Sequence, residues 1–324
     1  MIIMNKNLRI VFMGTPEFAV TSLDALYKRS FNIVGVITTA DKRAGRGKKL
    51  HVSAVKQYAL DHNIPILTPQ NLKDPSFLEE LKSWKAELQI VVAFRMLPAV
   101  VWQAPKFGTF NLHGSLLPQY RGAAPINHAI INGETETGVT TFFLDKEIDT
   151  GRIIEQRKCE ISNMDNAGDL HDKLMNIGAS LVVDTVDSII EGKVKTIAQE
   201  DFSEGSILKS APKIFKEDGL IDWTNQATII YNKIRGLSPY PTAWTRLRNM
   251  NNNTELTLKL YQTKISKDKS THPGSINTDG KTYLNIQTRD YSIEIQELQL
   301  QGKKRMKVAD FLRGFPISDH YRCQ

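Results

Sequence analysis

Apolar and polar positions follow two different rhythms along the chain, and the change between them falls near residue 200. Residues 8–14, Leu-Arg-Ile-Val-Phe-Met-Gly, read as a buried strand ending in Gly14, and Pro16 opens a helix that runs through Lys28. The pattern then predicts a strand over 33–38, a helix over 53–62, a short strand over 64–67, a helix over 75–84 and an apolar strand over 88–94. A strand over 139–144 and a long helix from about 165 to 191 complete this part. Strands alternating with helices predict the α/β class with a doubly wound, mostly parallel sheet.

Beyond Asp222-Trp223 the texture shifts. One helix over 225–235 precedes short alternating runs over 255–261, 274–276, 283–288 and 291–298, parted by turn residues such as Asn251-Asn252-Asn253 and Asp279-Gly280. Short strands at this spacing predict a small β-barrel. A length of 324 residues exceeds one typical core. The expected division is a domain over 1–192, a linker over 193–208 and a second domain over 209–324.

Charge separates the two parts further. Residues 1–208 carry 23 Lys and Arg against 24 Asp and Glu, a net of −1, whereas residues 209–324 carry 19 against 11, a net of +8. The excess points to an anionic partner, most often a nucleic acid, or to a solvated basic surface. Cys159 and Cys323 lie far apart and in no CxxC spacing, so neither a disulfide framework nor a cysteine metal site is expected. No stretch approaches the roughly 18 apolar residues of a membrane span. The sequence Gly14-Thr15-Pro16 is not GxGxxG, which argues against a dinucleotide site after the first strand.

The sharpest chemical signal is Thr109-Phe-Asn-Leu-His-Gly-Ser-Leu-Leu-Pro118. On an extended segment Asn111 and His113, two positions apart, share a face, and the segment breaks at Gly114-Ser115 and Pro118 as a strand entering a loop would. Polar side chains at such a strand end are where open α/β sheets build sites. A carboxamide aimed at a developing oxyanion beside a proton-carrying imidazole suits acyl transfer better than hydride or phosphoryl transfer. Asp149-Thr150-Gly151 offers a carboxylate to orient His113, or is a plain turn, since Asp and Gly are common turn residues. Asp41-Lys-Arg-Ala-Gly-Arg-Gly-Lys-Lys-Leu50 interleaves basic residues with glycines and reads as a flexible cationic finger able to follow a phosphate backbone. Gly302-Lys-Lys-Arg-Met-Lys307 is a second basic cluster.

The run Asn111-Leu-His-Gly-Ser-Leu-Leu-Pro-Gln-Tyr-Arg-Gly-Ala-Ala-Pro-Ile126, with Thr137-Gly-Val-Thr140 and Asp149-Thr-Gly151, resembles the formyltransferases that use 10-formyltetrahydrofolate. The loop Ala44–Leu50, Ile221-Asp-Trp223, Pro239-Tyr-Pro241 through Trp244, and Gly302-Lys-Lys304 are similar to the branch of that family acting on methionyl-tRNA, so the likeness spans essentially the whole chain. The resemblance implies a Rossmann-like catalytic domain followed by an OB-like barrel that binds tRNA. It implies transfer of the formyl group from 10-formyltetrahydrofolate to the α-amine of methionyl initiator tRNA, for translation initiation. By it, Asn111, His113 and Asp149 are the catalytic trio, and Ser115, Leu116, Leu117 and Pro118 belong to the folate site. Arg46 engages the tRNA acceptor end, supported by Arg43, Lys48 and Lys49, while Lys303, Lys304 and Arg305 hold tRNA from the second domain. No metal is implied, and a cytoplasmic monomer is expected. One departure is Ala93-Phe-Arg-Met-Leu-Pro98, where family members commonly carry a longer Ala-Tyr-Gly-aliphatic run; Phe94 and Met96 would there line the pterin pocket. Two rivals are a folate formyltransferase acting on an amino sugar or nucleotide, and a non-catalytic RNA-binding protein on a retired enzyme fold.

Overall fold

The computed structural model describes residues 7–44, 49–202, 207–268, 272–318 and 320–324. The chain forms two compact units that do not follow the linear division. The first is drawn from Met1–Gly122, Glu136–Glu160 and His171–Ser210, the second from Ala123–Thr135, Ile161–Leu170 and Ala211–Gln324.

In chain order the elements begin β1 (Ile10–Gly14), α1 (Glu17–Lys28), β2 (Ile33–Ile37), β3 (Lys42–Ala44), β4 (Lys49–His51), α2 (Ala54–Asp61) and β5 (Ile66–Leu67). They continue α3 (Pro75–Ser83), β6 (Leu88–Val92), α4 (Ala99–Trp102), β7 (Thr109–His113), β8 (Arg121–Gly122), α5 (Pro125–Ile131), β9 (Glu136–Phe143), β10 (Ile153–Glu160) and α6 (Ala167–Ile190). Seven strands of the first unit make one sheet in the order β10-β9-β7-β6-β1-β2-β5. The five strands from β7 to β5 run parallel, and β9 and β10 join antiparallel at the other edge. Both central strands β1 and β6 are buried along their whole length. That is why they read as unbroken apolar runs: a parallel sheet covered on both faces has no solvated side. β6 stops two residues short of the expected end because Ala93 adopts a left-handed φ of 48°. α3 packs Phe77 and Leu81 against Val11, Ile37 and Val91. On the other face Gly178 of α6 lies so close to Leu112 that a Cβ there would fall 2.7 Å from its Cδ2.

After β11 (Ser210–Ala211), which spans the boundary, the second unit contains α7 (Ala227–Gly236), β12 (Ala243–Asn249), β13 (Glu255–Ser266), β14 (Ile276–Thr278), β15 (Leu284–Gln287), β16 (Ser292–Leu300), β17 (Met306–Lys307), α8 (Val308–Gly314) and β18 (Tyr321–Cys323). The strand order β14-β15-β16-β13-β12-β18, with an antiparallel bridge Ser275↔Arg322, nearly closes an antiparallel barrel. Its core joins Leu258, Leu260, Ile293, Ile295 and Leu298 to Ile230 and Ile234 of α7 and Phe311 of α8. Cys159 and Cys323 are both buried, and burial pushes the Cys323 thiol up to about 12.

Strands β10 and β12 and the short helices α5 and α8 are absent from the hydropathy reading. β10, Ile-Ile-Glu-Gln-Arg-Lys-Cys-Glu, is a sheet edge whose solvated residues erase the alternation. Among the described residues no helix is long and apolar enough to cross a membrane, and no group of three or more His, Cys, Asp or Glu could hold a metal.

Candidate active site

β7 delivers Asn111 and His113 to the C-terminal end of the parallel sheet. Asn111 stands between Val91 of β6 and Phe142 of β9, and His113 opposite Thr140 of β9. Leu112, between them, faces α6. The alternation of the strand therefore puts both polar side chains on the face away from α6. His113 is 6% exposed, Asn111 half-buried. Among the described residues the Asn111 carboxamide has no hydrogen-bond partner.

The loop after β7 is fastened by polar contacts. Ser115 Oγ donates to the Gln119 carbonyl at 2.6 Å, and Thr140 Oγ1 donates to the Ser115 carbonyl at 2.6 Å. Leu117 N–H donates to Thr140 Oγ1 at 3.1 Å, and Gln156 Nε2 donates to the Leu117 carbonyl at 2.8 Å. The Leu117–Pro118 peptide is cis. The loop ends at Tyr120, which has a left-handed φ of 60° and presents its carbonyl 2.9 Å from His113 Nε2. A carbonyl only accepts, so Nε2 carries the proton and Nδ1 is left with its lone pair.

Nδ1 faces Asp149, whose Oδ2 lies 3.9 Å away. That is too far for a hydrogen bond and close enough for strong attraction once the ring is charged. Asp149 Oδ2 accepts the Gly122 N–H at 3.0 Å, and the residue is itself left-handed, with φ 56°. Two residues on, Gly151 tolerates no side chain, because a Cβ would sit 1.7 Å from the Phe143 carbonyl oxygen. Asp-Thr-Gly is thus a turn that also brings a carboxylate to 3.9 Å from the imidazole.

Three residues around this pair are not among the expected site residues. Tyr120 acts through a backbone carbonyl. Gln199, 1% exposed, donates its Nε2 to the carbonyls of Asp149 (2.9 Å) and Gly151 (2.8 Å). Its Oε1 accepts from Arg121 Nε at 2.9 Å and Nη2 at 2.7 Å.

Other expected site residues separate into presented and buried groups. Ser115 and Leu117 are buried, Leu117 packing with Phe142 and Ile153, so they shape the loop from within. Leu116 is half-buried and Pro118 buried. Phe94 packs against the Leu97–Val101 cluster with the Arg95 guanidinium 5.7 Å from its ring centroid, whereas Met96 is 73% exposed. In the basic finger, β3 and β4 pair as a hairpin, with Arg43 opposite Leu50 and Lys49 opposite Ala44. Arg46 and Lys48 lie outside the described residues. In the second unit Lys303 and Lys304 are exposed. Arg305 is engaged within the protein: it pairs with Glu297 and lies 4.2 Å from the centroid of the Tyr261 ring.

Comparison with known proteins adds the family. Residues 8–186 match the formyl transferase model, and residues 213–316 match the formyl transferase C-terminal domain. The chain is 54% identical over 320 residues to the methionyl-tRNA formyltransferase of Bacteroides fragilis, covering 98% of both chains. It is 54% identical over 314 residues to that of Flavobacterium johnsoniae, covering 97% of this chain and 98% of the relative. Among solved structures it is similar to WlaRD, a sugar 3N-formyl transferase, with 24% identity, a TM-score of 0.63, and 92% of this chain and 99% of that one covered.

Proposed function

The chain belongs to the methionyl-tRNA formyltransferase family, and from that premise we propose that it transfers the formyl group of 10-formyltetrahydrofolate to the α-amine of methionyl initiator tRNA, for translation initiation. The observation carrying the chemistry is the imidazole of His113, anchored at Nε2 and open at Nδ1 toward Asp149, with Asn111 on the same strand face.

The folate supplies the formyl carbon that the methionyl amine attacks. Asn111 donates its carboxamide N–H to the formyl oxygen as negative charge builds there; a carboxamide with no hydrogen-bond partner among the described residues fits that task. His113 accepts at Nδ1 the proton released by the attacking amine and returns it to the departing nitrogen as the old carbon–nitrogen bond breaks. Asp149 balances the transient imidazolium. At 3.9 Å and an effective dielectric of about 20, that attraction is about 4 kcal/mol before desolvation is counted. No covalent enzyme intermediate is needed.

Leu116, Phe94 and Met96 contact the pterin, and the buried Ser115, Leu117 and Pro118 hold the loop beside it. The first compact unit carries the chemistry. Residues 209–324 grip tRNA together with the finger, Arg43, Arg46, Lys48 and Lys49 of the finger and Lys303 and Lys304 of the barrel meeting phosphates, with Arg305 beside them paired to Glu297. The enzyme acts as a monomer in the cytoplasm, where initiator tRNA is charged. Incubation with 10-formyltetrahydrofolate and methionyl initiator tRNA, read by mass spectrometry, tests the reading: formyl-methionine on tRNA supports it. Formylation of an amino sugar in place of the tRNA overturns it.

A further inference from the structure

We propose that Gln199 is a positioning residue for the active site, holding Asp149 against His113 and making the segment that follows α6 part of the catalytic apparatus; the proposal rests on the catalytic reading of His113 and Asp149 given above.

Asp149 occupies a left-handed backbone conformation, uncommon among non-glycine residues though less so for aspartate. Gln199 holds the turn in that conformation. One carboxamide nitrogen takes the carbonyls of Asp149 and Gly151, on either side of Thr150, which fixes the turn between them. The carboxamide oxygen takes two guanidinium donors of Arg121, the residue next to Gly122, whose N–H holds the Asp149 carboxylate. Gln199 thus ties together the backbone that carries Asp149 and the backbone that orients its carboxylate. Arg121 also follows Tyr120, whose carbonyl anchors His113 Nε2. Both partners of the imidazole are set by left-handed residues in direct or next-neighbour contact with this network.

Gln199 is itself immobilised. Ile197 exchanges both backbone hydrogen bonds with Ile153 of β10, each at 2.9 Å. Arg152 donates to Thr196 Oγ1 at 2.7 Å and to its carbonyl at 2.8 Å. A stretch that composition marks as linker therefore starts as a rigid strap on the sheet edge. A buried carboxamide that saturates four hydrogen bonds on reaction-side loops has no packing role an apolar residue could not fill. What it supplies is direction.

The test is a double-mutant cycle between Gln199 and Asp149 in the full-length enzyme, read in single-turnover formylation of methionyl-tRNA. Gln199→Ala should lower the rate on the order of 10- to 100-fold, the scale of a small misplacement in a reacting constellation, with KM for tRNA and folate within about 2-fold of wild type. In an Asp149→Asn background the same substitution should cost less than about 2-fold, because the group it positions is already lost. Gln199→Glu keeps the acceptor for Arg121 but turns an oxygen toward two carbonyls, so it should match or exceed the loss in Gln199→Ala. A cooperative thermal melt above the assay temperature for each variant guards against a folding defect. An unimpaired Gln199→Ala, or the full loss repeated in the Asp149→Asn background, overturns the Gln199 proposal alone. Near-wild-type rates for Asp149→Asn overturn the catalytic reading and the Gln199 proposal with it.

Discussion

Truncation of Asn111 separates a transition-state role from a structural one with unusual clarity. The carboxamide sits half-buried on β7 and has no hydrogen-bond partner among the described residues, so Asn111→Ala breaks no side-chain hydrogen bond among them. The cost to folding should then stay below about 1 kcal/mol, in the range of an ordinary partly buried substitution, and the thermal midpoint should move by less than about 4 °C. The cost to the reaction is of another size. Removing one preorganised oxyanion donor typically raises the barrier by about 2.7–4 kcal/mol, on the order of 100- to 1,000-fold in kcat. Because the donor meets charge that exists only as the bond forms, kcat and kcat/KM should fall together while folate and tRNA dissociation constants hold. The assay is rapid-quench formylation with each substrate varied in turn, beside a thermal melt of the same preparation. A kcat within about 3-fold of wild type refutes the oxyanion assignment. A large kcat loss that comes with a melt lowered by more than about 10 °C refutes the argument that the side chain is structurally idle.

His113→Gln should lose about 100- to 10,000-fold and flatten the pH–rate profile, since an amide cannot carry the proton; a profile unchanged in shape and height removes His113 from proton transfer. Gly151→Ala should destabilise by on the order of 1–3 kcal/mol in urea unfolding, because the new Cβ falls 1.7 Å from the Phe143 carbonyl oxygen and backbone must yield; an unchanged midpoint contradicts that packing. Replacing Lys303 and Lys304 by Gln should lower the slope of log Kd against log salt by about 1.4–1.8 if each meets one phosphate. The same slope in both proteins makes the pair a solvated surface. Arg305→Gln should change the slope less, since that guanidinium is already paired with Glu297.

Much of this was written in the sequence, for reasons that differ by element. The parallel strands were legible because burial on both faces leaves an unbroken apolar run, as in β1 and β6. Asn111 and His113 were legible because polar residues at alternate positions of such a strand have no structural excuse. β10 was not, since an edge strand alternates against solvent and its Glu, Gln, Arg and Lys read as loop. Nor could sequence show that His113 Nε2 turns to the Tyr120 carbonyl and not to the carboxylate, because backbone acceptors are the same at every residue. Gln199 was hidden in a polar stretch where nothing distinguishes a buried carboxamide from a solvated one. The basic finger read as flexible, yet its ends pair as β3 and β4, through backbone bonds that composition does not encode.

The division of the chain shows most plainly why linear order misleads. α5 and residues 161–170 lie in the sequence of the catalytic part but fold with the second unit. Asn127 of α5 donates to the Gly236 carbonyl at 2.8 Å, and Gly236 lies so close to Ile131 that a Cβ would fall 2.6 Å from its Cγ1. The Arg235 guanidinium, buried, donates to the Asp165 carbonyl at 3.0 Å and holds Asn232 as well. A fragment beginning at residue 209 would keep the barrel strands and lose the helix and the turn against which α7 packs, uncovering the apolar cluster that Ile131 packs on and removing two carbonyl acceptors of the Arg235 guanidinium. Burial of that kind contributes about 1.5–3 kcal/mol per apolar side chain, a large share of the stability of a domain. The basic unit is therefore completed by segments threaded from the catalytic sequence, and the two activities assigned to the chain share one continuous covalent frame in which neither can be cut out at a single peptide bond.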